Sequence, residues 1–214
     1  MPAMPFITFE GIEGSGKSTQ ARRALEHVRS RGLDAILERE PGGTAVGARL
    51  RAILLDPETR GLDPVAELLL MEADRRQHVV EVLGPAVARG VLVLCDRFND
   101  ATFAYQGGAR GLPADLVATV DAWTVGGLSP DRTLLFDCPV PLGLSRAGRR
   151  DGAQTPRFEA EGPEFHERVR AAYLAIARRE PDRVRVIDTD RPPDAVFADV
   201  QRELDEFCAA GEPV

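Results

Sequence analysis

The chain has 214 residues, of which 43% are hydrophobic and 29% charged, with 27 basic against 34 acidic side chains. That length suits one globular domain, and that composition excludes wholesale disorder. A net charge of −7 disfavours coating nucleic acid or an anionic membrane, so a polyanionic ligand would need a local basic pocket.

Residues 5–9 form a short apolar run that reads as a buried strand. Residues 11–18 are glycine-rich. From 17 to 31 the pattern is helical, with Ala21, Leu25 and Val28 on one face and Gly32 as a C-cap. A second strand is expected over 34–39, then a turn at Pro41-Gly42-Gly43 and a helix over 45–55. A long helical pattern covers 65–87. Residues 91–95 are continuously apolar, as in a strand covered on both faces. There follow a helix over 115–125, a buried strand over 133–136 and a helical pattern over 139–150. After a polar stretch come a helix over 164–179, a strand over 184–188 and a last helix over 194–208. Strands alternating with helices imply a parallel α/β sheet. The strands end in Gly11, Glu40, Asp96, Asp137 and Asp188, and ligands bind outside such ends. The one linker-like piece, about 150–163, reads as a flexible insertion within a single domain spanning 1–214.

Gly11, Ile12, Glu13, Gly14, Ser15, Gly16, Lys17 and Ser18 match G-x-x-x-x-G-K-S, placed after a strand and at the start of a helix. Glycines let backbone N–H groups curl around phosphate oxygens, the helix N-terminus adds positive potential, and Lys17 reaches the β- and γ-phosphates. The Ser18 hydroxyl can ligate Mg²⁺. Of the 27 basic residues, 26 are arginine, and Lys17 is the lone lysine. A compact ammonium suits a crowded loop better than a planar fork. The guanine-reading motif N-K-x-D is excluded, because that lysine is already used.

Further charged motifs stand at the strand ends: FEGIEGSGKSTQ (9–20), REPGGT (39–44), ELLLMEADRRQHV (67–79), CDRFNDATFAYQGGARGL (95–112), LLFDCPVPLGLSRAGRR (134–150) and PRFE (156–159). With these the chain closely resembles the bacterial thymidylate (dTMP) kinases, from about Phe6 to Thr189. The resemblance implies a P-loop NTPase fold with a five-stranded parallel sheet flanked by helices and a small mobile lid at about 146–160. It also implies transfer of a phosphoryl group from ATP to dTMP with Mg²⁺, in a homodimer. Rival readings are a kinase of another nucleotide on the same fold, and a nucleotide-dependent switch without turnover.

The resemblance also distributes roles. Asp96 stands where a Walker-B acid holds Mg²⁺, directly or through water, beside Ser18. Arg97 bridges the acceptor phosphate toward the transferred group, and Arg51 grips the same phosphate, with Arg49 its nearest rival. Glu13, an unexpected charge beside a triphosphate, faces the sugar 3′-hydroxyl. Met71 and Arg75 share a helix face; Met71 stands where the family has a base-stacking aromatic, and Arg75 where an arginine bonds the thymine carbonyl. Tyr105 would exclude a ribose 2′-hydroxyl, and Gln106 would touch the base edge. Ala101 replaces a common serine. Thr19 closes the ATP loop. The lid arginines Arg146, Arg149 and Arg150 fit the variant in which the lid supplies the catalytic arginine, with Arg149 favoured. Arg191 would cover the adenine, while His78 reads as structural or surface. Cys95, Cys138 and Cys208 are odd in number and far apart, and no basic n-region opens the chain, so a reducing, cytoplasmic setting is expected. No apolar run approaches the ~18 residues of a membrane span.

Overall fold

A computed structural model describes residues 5–59, 61–149 and 156–211. Five strands form one parallel sheet: β1 (Phe6–Glu10), β2 (Ala35–Arg39), β3 (Leu92–Asp96), β4 (Arg132–Asp137) and β5 (Val184–Asp188), in the order β2-β3-β1-β4-β5. The register pairs Phe9 with Asp96, Arg39 with Asp96, and Asp137 with Asp188, so the polar strand ends gather along one rim.

Alternation along β1 separates two layers. Ile7 and Phe9 pack with Ala21, Ala24 and Val28 of α1 (Lys17–Ser30) and with Val196, Val200 and Leu204 of α9 (Pro193–Gly211). Phe6, Thr8 and Glu10 face the opposite layer. That layer contains α2 (Ala45–Leu55), α3 (Pro64–His78), α4 (Gly84–Ala88), α5 (Asn99–Thr102), α6 (Ala114–Val125), α7 (Val140–Ala147) and α8 (Pro163–Arg179). Thr8 meets Thr133 at 2.8 Å, and Thr133 donates to Asp100, which also holds Arg183. The hydroxyls of Thr8 and Thr133 and the Asp100 carboxylate are thus paired inside this layer.

Local chemistry sets the helix ends. Thr44 accepts from the N–H of Gly47 at the start of α2, and Asp63 accepts from Val65 and Ala66 before Pro64 opens α3. α6 stops at Gly126, whose φ is 58°. The pattern over 65–87 is not one helix. A π-helical turn over Val79–Leu83 separates α3 from α4. Pro85 lacks the N–H that an unbroken helix would donate to Glu81, and the wider turn absorbs the missing bond. A second difference is the helical run over 99–109, α5 followed by a π-helical turn (Phe103–Ala109), where sequence patterning indicated none. No helix among the described residues is long and apolar enough to cross a membrane.

Candidate active site

The loop between β1 and α1 runs from Gly11 to Gly16. Gly11, Gly14 and Gly16 have φ of 140°, 71° and 90°, backbone that side chains resist. A Cβ on Gly14 would overlap the Gly143 carbonyl of α7. No side chain caps α1, and although the Thr19 N–H donates to the Gly16 carbonyl, the leading N–H groups of Lys17 and Ser18 are left for phosphate oxygens. Lys17 is buried, with Nζ 3.4 Å from the Ile12 carbonyl. Burial and then Arg97 lower its pKa, against the pull of Asp96, Glu13 and Glu10.

Glu13 leaves this loop toward the opposite layer. Its carboxylate accepts from Arg97 Nη2 at 2.9 Å and from the Tyr105 hydroxyl at 2.7 and 2.8 Å, and His166 Nδ1 stands 3.3 Å away. Burial pushes its pKa up, but Arg97, His166, Lys17 and Tyr105 outweigh burial and hold the carboxyl well below the usual range. Arg97 is the one non-glycine with positive φ among the described residues, at 74°. Such a backbone persists where its surroundings over-determine it. Here the Arg97 N–H donates to the Phe9 carbonyl at 3.0 Å, and the Phe98 N–H to Glu10 at 2.7 Å. Glu10 also accepts from the Tyr173 hydroxyl at 2.6 Å, and burial lifts its pKa to about 7. Tyr173 in turn accepts from Arg97 Nη1 at 3.1 Å.

A second buried arginine, Arg75, forms the far wall. It donates to Glu40 at 2.8 Å, to Thr102 at 2.7 Å, to the Phe98 carbonyl at 3.0 Å, and to Glu72. A guanidinium carries five N–H groups, so one remains for the cleft. Burial opposes its charge, and the carboxylates of Glu72, Glu40 and Asp121 more than restore it. His78 is structural: wholly buried, it sits 3.0 Å from Glu40 and 3.3 Å from Glu38, and a Cβ on Gly43 would overlap its ring.

One cleft of about 930 Å³ connects these parts. Glu13, Gly14, Gly16, Lys17, Ser18 and Thr19 line one end. Met71, Arg75, Thr102, Tyr105 and Gln106 line the other, and Asp96, Arg97 and Arg51 lie between them. Gly11, Ile12 and Ser15 shape the loop from behind and do not face the cleft. Arg51, not the exposed Arg49, enters the site, with Nη1 2.7 Å from the Pro41 carbonyl. Arg146 borders the cleft and donates to the Thr189 carbonyl, while Arg149 is exposed just beyond α7. Arg150 lies outside the described residues. Arg191 is held by Asp199 and the Asp188 carbonyl and is not in the cleft wall. Sequence reasoning gave no role to Glu10, Glu67, Thr102, His166 and Tyr173, and placed Glu40 only as a polar strand end. Glu40 and Glu67 stood inside quoted motifs, but their partners are 35 or more positions away in the chain.

Ser18 and Asp96 present a hydroxyl and a carboxylate to the same cleft. Among the described residues no three His, Cys, Asp or Glu side chains gather as a metal cage. One carboxylate and one hydroxyl beside a phosphate loop suit Mg²⁺, which keeps several waters and takes phosphate oxygens.

A sequence model of the thymidylate kinase family matches residues 9–200, from the end of β1 into α9. The chain belongs to the thymidylate kinase family. It is 48% identical over 207 residues to a thymidylate kinase of Desulfovibrio desulfuricans, covering 94% of this chain and 95% of that one. It is 50% identical over 193 residues to one of Caulobacter vibrioides, covering 90% and 92%. The crystal structure of thymidylate kinase from Ehrlichia chaffeensis superposes with a TM-score of 0.77 at 32% identity, covering 95% of this chain and all of that one. The parallel five-stranded order and the glycine loop are therefore the architecture of this family.

Proposed function

We propose that the cleft holds ATP and dTMP end to end and passes the γ-phosphoryl group between them. Family membership carries the reaction, ATP and dTMP giving ADP and dTDP. The observation that supports this division of the site is the place of Arg97. Its guanidinium lies at the junction of the phosphate loop and the compartment of Met71, Arg75 and Tyr105. Phosphoryl transfer demands little covalent chemistry, but it needs two anionic partners in line and their charge neutralised.

The loop amides and Lys17 take the triphosphate. Ser18 and Asp96 would hold Mg²⁺, which when bound offsets charge on the β- and γ-phosphates. Arg97 and Arg51 take the acceptor phosphate. Glu13, kept ionised, accepts from the 3′-hydroxyl, and the Tyr105 ring fills the space a 2′-hydroxyl would need. Met71 covers one face of the base, since a thioether packs well on an aromatic ring. The spare N–H of Arg75 reaches a thymine carbonyl, and Gln106 meets the base edge. Arg146, Arg149 and Arg150 close over the phosphates as a lid.

The chain is also proposed to act as a homodimer. Val46 and Ile53 of α2, Leu69 of α3, Val80 just beyond it and Trp123 of α6 are exposed, Trp123 to 84%, and α3 packs against both α2 and α6. Such a patch on neighbouring helices suits a second copy. Trp123 is the sole tryptophan. Light scattering at a dimer mass, with iodide quenching of Trp123 that rises on dilution, is the expected result; a monomer with freely quenched fluorescence refutes it.

A coupled ADP-release assay over dTMP, dUMP, UMP, AMP, GMP and CMP tests the substrate assignment. Turnover with dTMP, and weakly with dUMP, is expected. Preference for AMP, GMP or CMP would assign another monophosphate kinase, and ATP binding without turnover would make the protein a switch.

A further inference from the structure

Glu67 is a charge that the proposed reaction does not use. It sits on α3 with no exposed surface, behind the base compartment. Its two oxygens accept from three side chains of two segments, Gln106 and Arg110 on the helical run after β3 and Arg157 far along the chain. Gln106 Nε2 donates to Oε1 at 2.8 Å. Arg110 donates to Oε1 at 3.2 Å and to Oε2 at 3.1 Å. Arg157, within the stretch expected to form the lid, reaches Oε2 at 2.7 Å and anchors its own Nε on the Leu54 carbonyl at 2.9 Å.

We infer that Glu67 sets the hydrogen-bonding polarity of Gln106 toward the nucleobase, and so selects a base that offers an N–H at its central edge position. The inference rests on the dTMP reading of the cleft. A carboxylate only accepts, so the Gln106 amide must turn its NH₂ group to Glu67. Gln106 also lines the cleft, so its carbonyl oxygen is left as the group shown to the base. Thymine and uracil carry N3–H between two carbonyls and complement an acceptor. Cytosine carries a bare N3 and opposes one. The single remaining N–H of Arg75 supplies the donor for a carbonyl beside it.

Neutralising Glu67 would reverse this polarity rather than merely loosen it. A glutamine at 67 must place its NH₂ group against one set of donors. Against Arg110 and Arg157 it would face two cations. In the place of Oε1 it faces one cation at the longer distance of 3.2 Å, Arg110 Nε, together with Gln106, the one partner able to flip. The flip leaves Gln106 presenting NH₂ to the cleft, which suits cytosine N3 and opposes thymine N3–H. Loss of a polar match at a buried site is worth about tenfold or more in selectivity.

The experiment compares kcat/KM for dTMP, dUMP and dCMP in the native chain, in Glu67→Gln and in the paired exchange Glu67→Gln/Gln106→Glu. In Glu67→Gln the ratio of dTMP to dCMP is expected to fall about tenfold or more, through KM for dTMP, with KM for ATP little moved. The paired exchange puts an acceptor-only carboxylate at 106 and is expected to recover the preference. It keeps one carboxylate in the cluster, four residues from Arg110 on the same helical run, so it supplies the test even where the single variant fails to fold. A purely structural role would raise KM for all three nucleotides alike and leave the ratio, which would overturn the inference. So would a paired exchange that folds without recovering the preference. If the native chain fails to turn over dTMP, the underlying reading falls and this inference with it.

Discussion

The Tyr105 hydroxyl lies 2.7 and 2.8 Å from the two oxygens of Glu13, and Arg97 Nη2 stands 2.9 Å from both residues. A tyrosine two turns past β3, an arginine with left-handed backbone and a glutamate inside the phosphate loop thus form one unit. The unit explains why an acid is tolerated beside a triphosphate. Its charge is directed away from the loop and compensated by Arg97.

Replacing Glu13 by alanine is expected to raise KM for dTMP roughly 10- to 100-fold, since a charged hydrogen-bond partner to the sugar is lost. The same variant should no longer distinguish dTMP from its 3′-deoxy analogue, whereas the native chain does. Glu13 is a carboxyl with a depressed folded pKa. Its stabilisation is therefore fully present above its unfolded value of 4.5 and lost as pH falls below that. Denaturation midpoints measured from pH 6 down to 3 should fall less steeply in Glu13→Gln than in the native chain. Equal slopes would show that the carboxylate is not held by Arg97 in solution.

Lys17→Ala is expected to lower kcat by roughly 10²–10⁴ while the fold stays intact, because the ammonium acts on charge in transit rather than on packing. Circular dichroism should be unchanged. A kcat near the native value would remove Lys17 from the phosphate site.

His78 should make stability fall with alkaline pH. Burial lowers its pKa, but hydrogen bonds and charge from Glu38 and Glu40 raise it from 6.5 to about 9. Asp74 and Arg75 also face this cluster. A histidine with a raised folded pKa stabilises fully below pH 6.5 and loses that contribution as pH rises through about 9. The loss is on the order of 2–3 kcal/mol over that window. Melting temperature measured from pH 6.5 to 9.5 should decline, and His78→Gln should flatten the decline. Gly43→Ala at neutral pH should cost about 1–3 kcal/mol, since its Cβ would displace the same ring.

The five strands and the glycine loop were legible because apolar runs and glycine spacing are local signals. Val184–Asp188 matches its expected bounds, and Lys17 opens α1 as read. Residues 99–109 were not legible, since Gly107-Gly108 reads as a loop. In the fold Gly108 is required for close approach: a Cβ there would lie 2.5 Å from Ala172 of α8. The π-helical turn at Val79–Leu83 was hidden because the apolar period continues through it. Of the residues named by motif, Glu13, Lys17, Ser18, Arg51, Met71, Arg75, Asp96, Arg97, Tyr105, Gln106 and Arg146 line one cleft, while Gly11, Ile12, Ser15, Arg149 and Arg191 do not, and Arg150 lies outside the described residues. What stayed invisible was their support. Glu10 with Tyr173, Glu40 with Arg75 and Glu67 with Arg157 are pairs made by tertiary contact, and no local pattern announces a buried carboxylate.

Arg149 supplies the last prediction, and its argument begins in α7. Gly143 of that helix packs so closely on the phosphate loop that its Cβ would lie 2.7 Å from the Glu13 carbonyl. Phosphate loop and α7 are therefore packed directly together, and Arg146, two residues before the α7 cap Gly148, lines the cleft. An arginine there gains its purchase only once nucleotide is bound and charge moves onto the transferred group. Arg149→Ala is accordingly expected to reduce kcat about 10²- to 10³-fold and to leave dTMP binding nearly unchanged. Single-turnover rates alongside equilibrium titration of dTMP separate the two quantities. If affinity falls while the single-turnover rate holds, Arg149 belongs to ground-state binding, and the finger must be sought at Arg146.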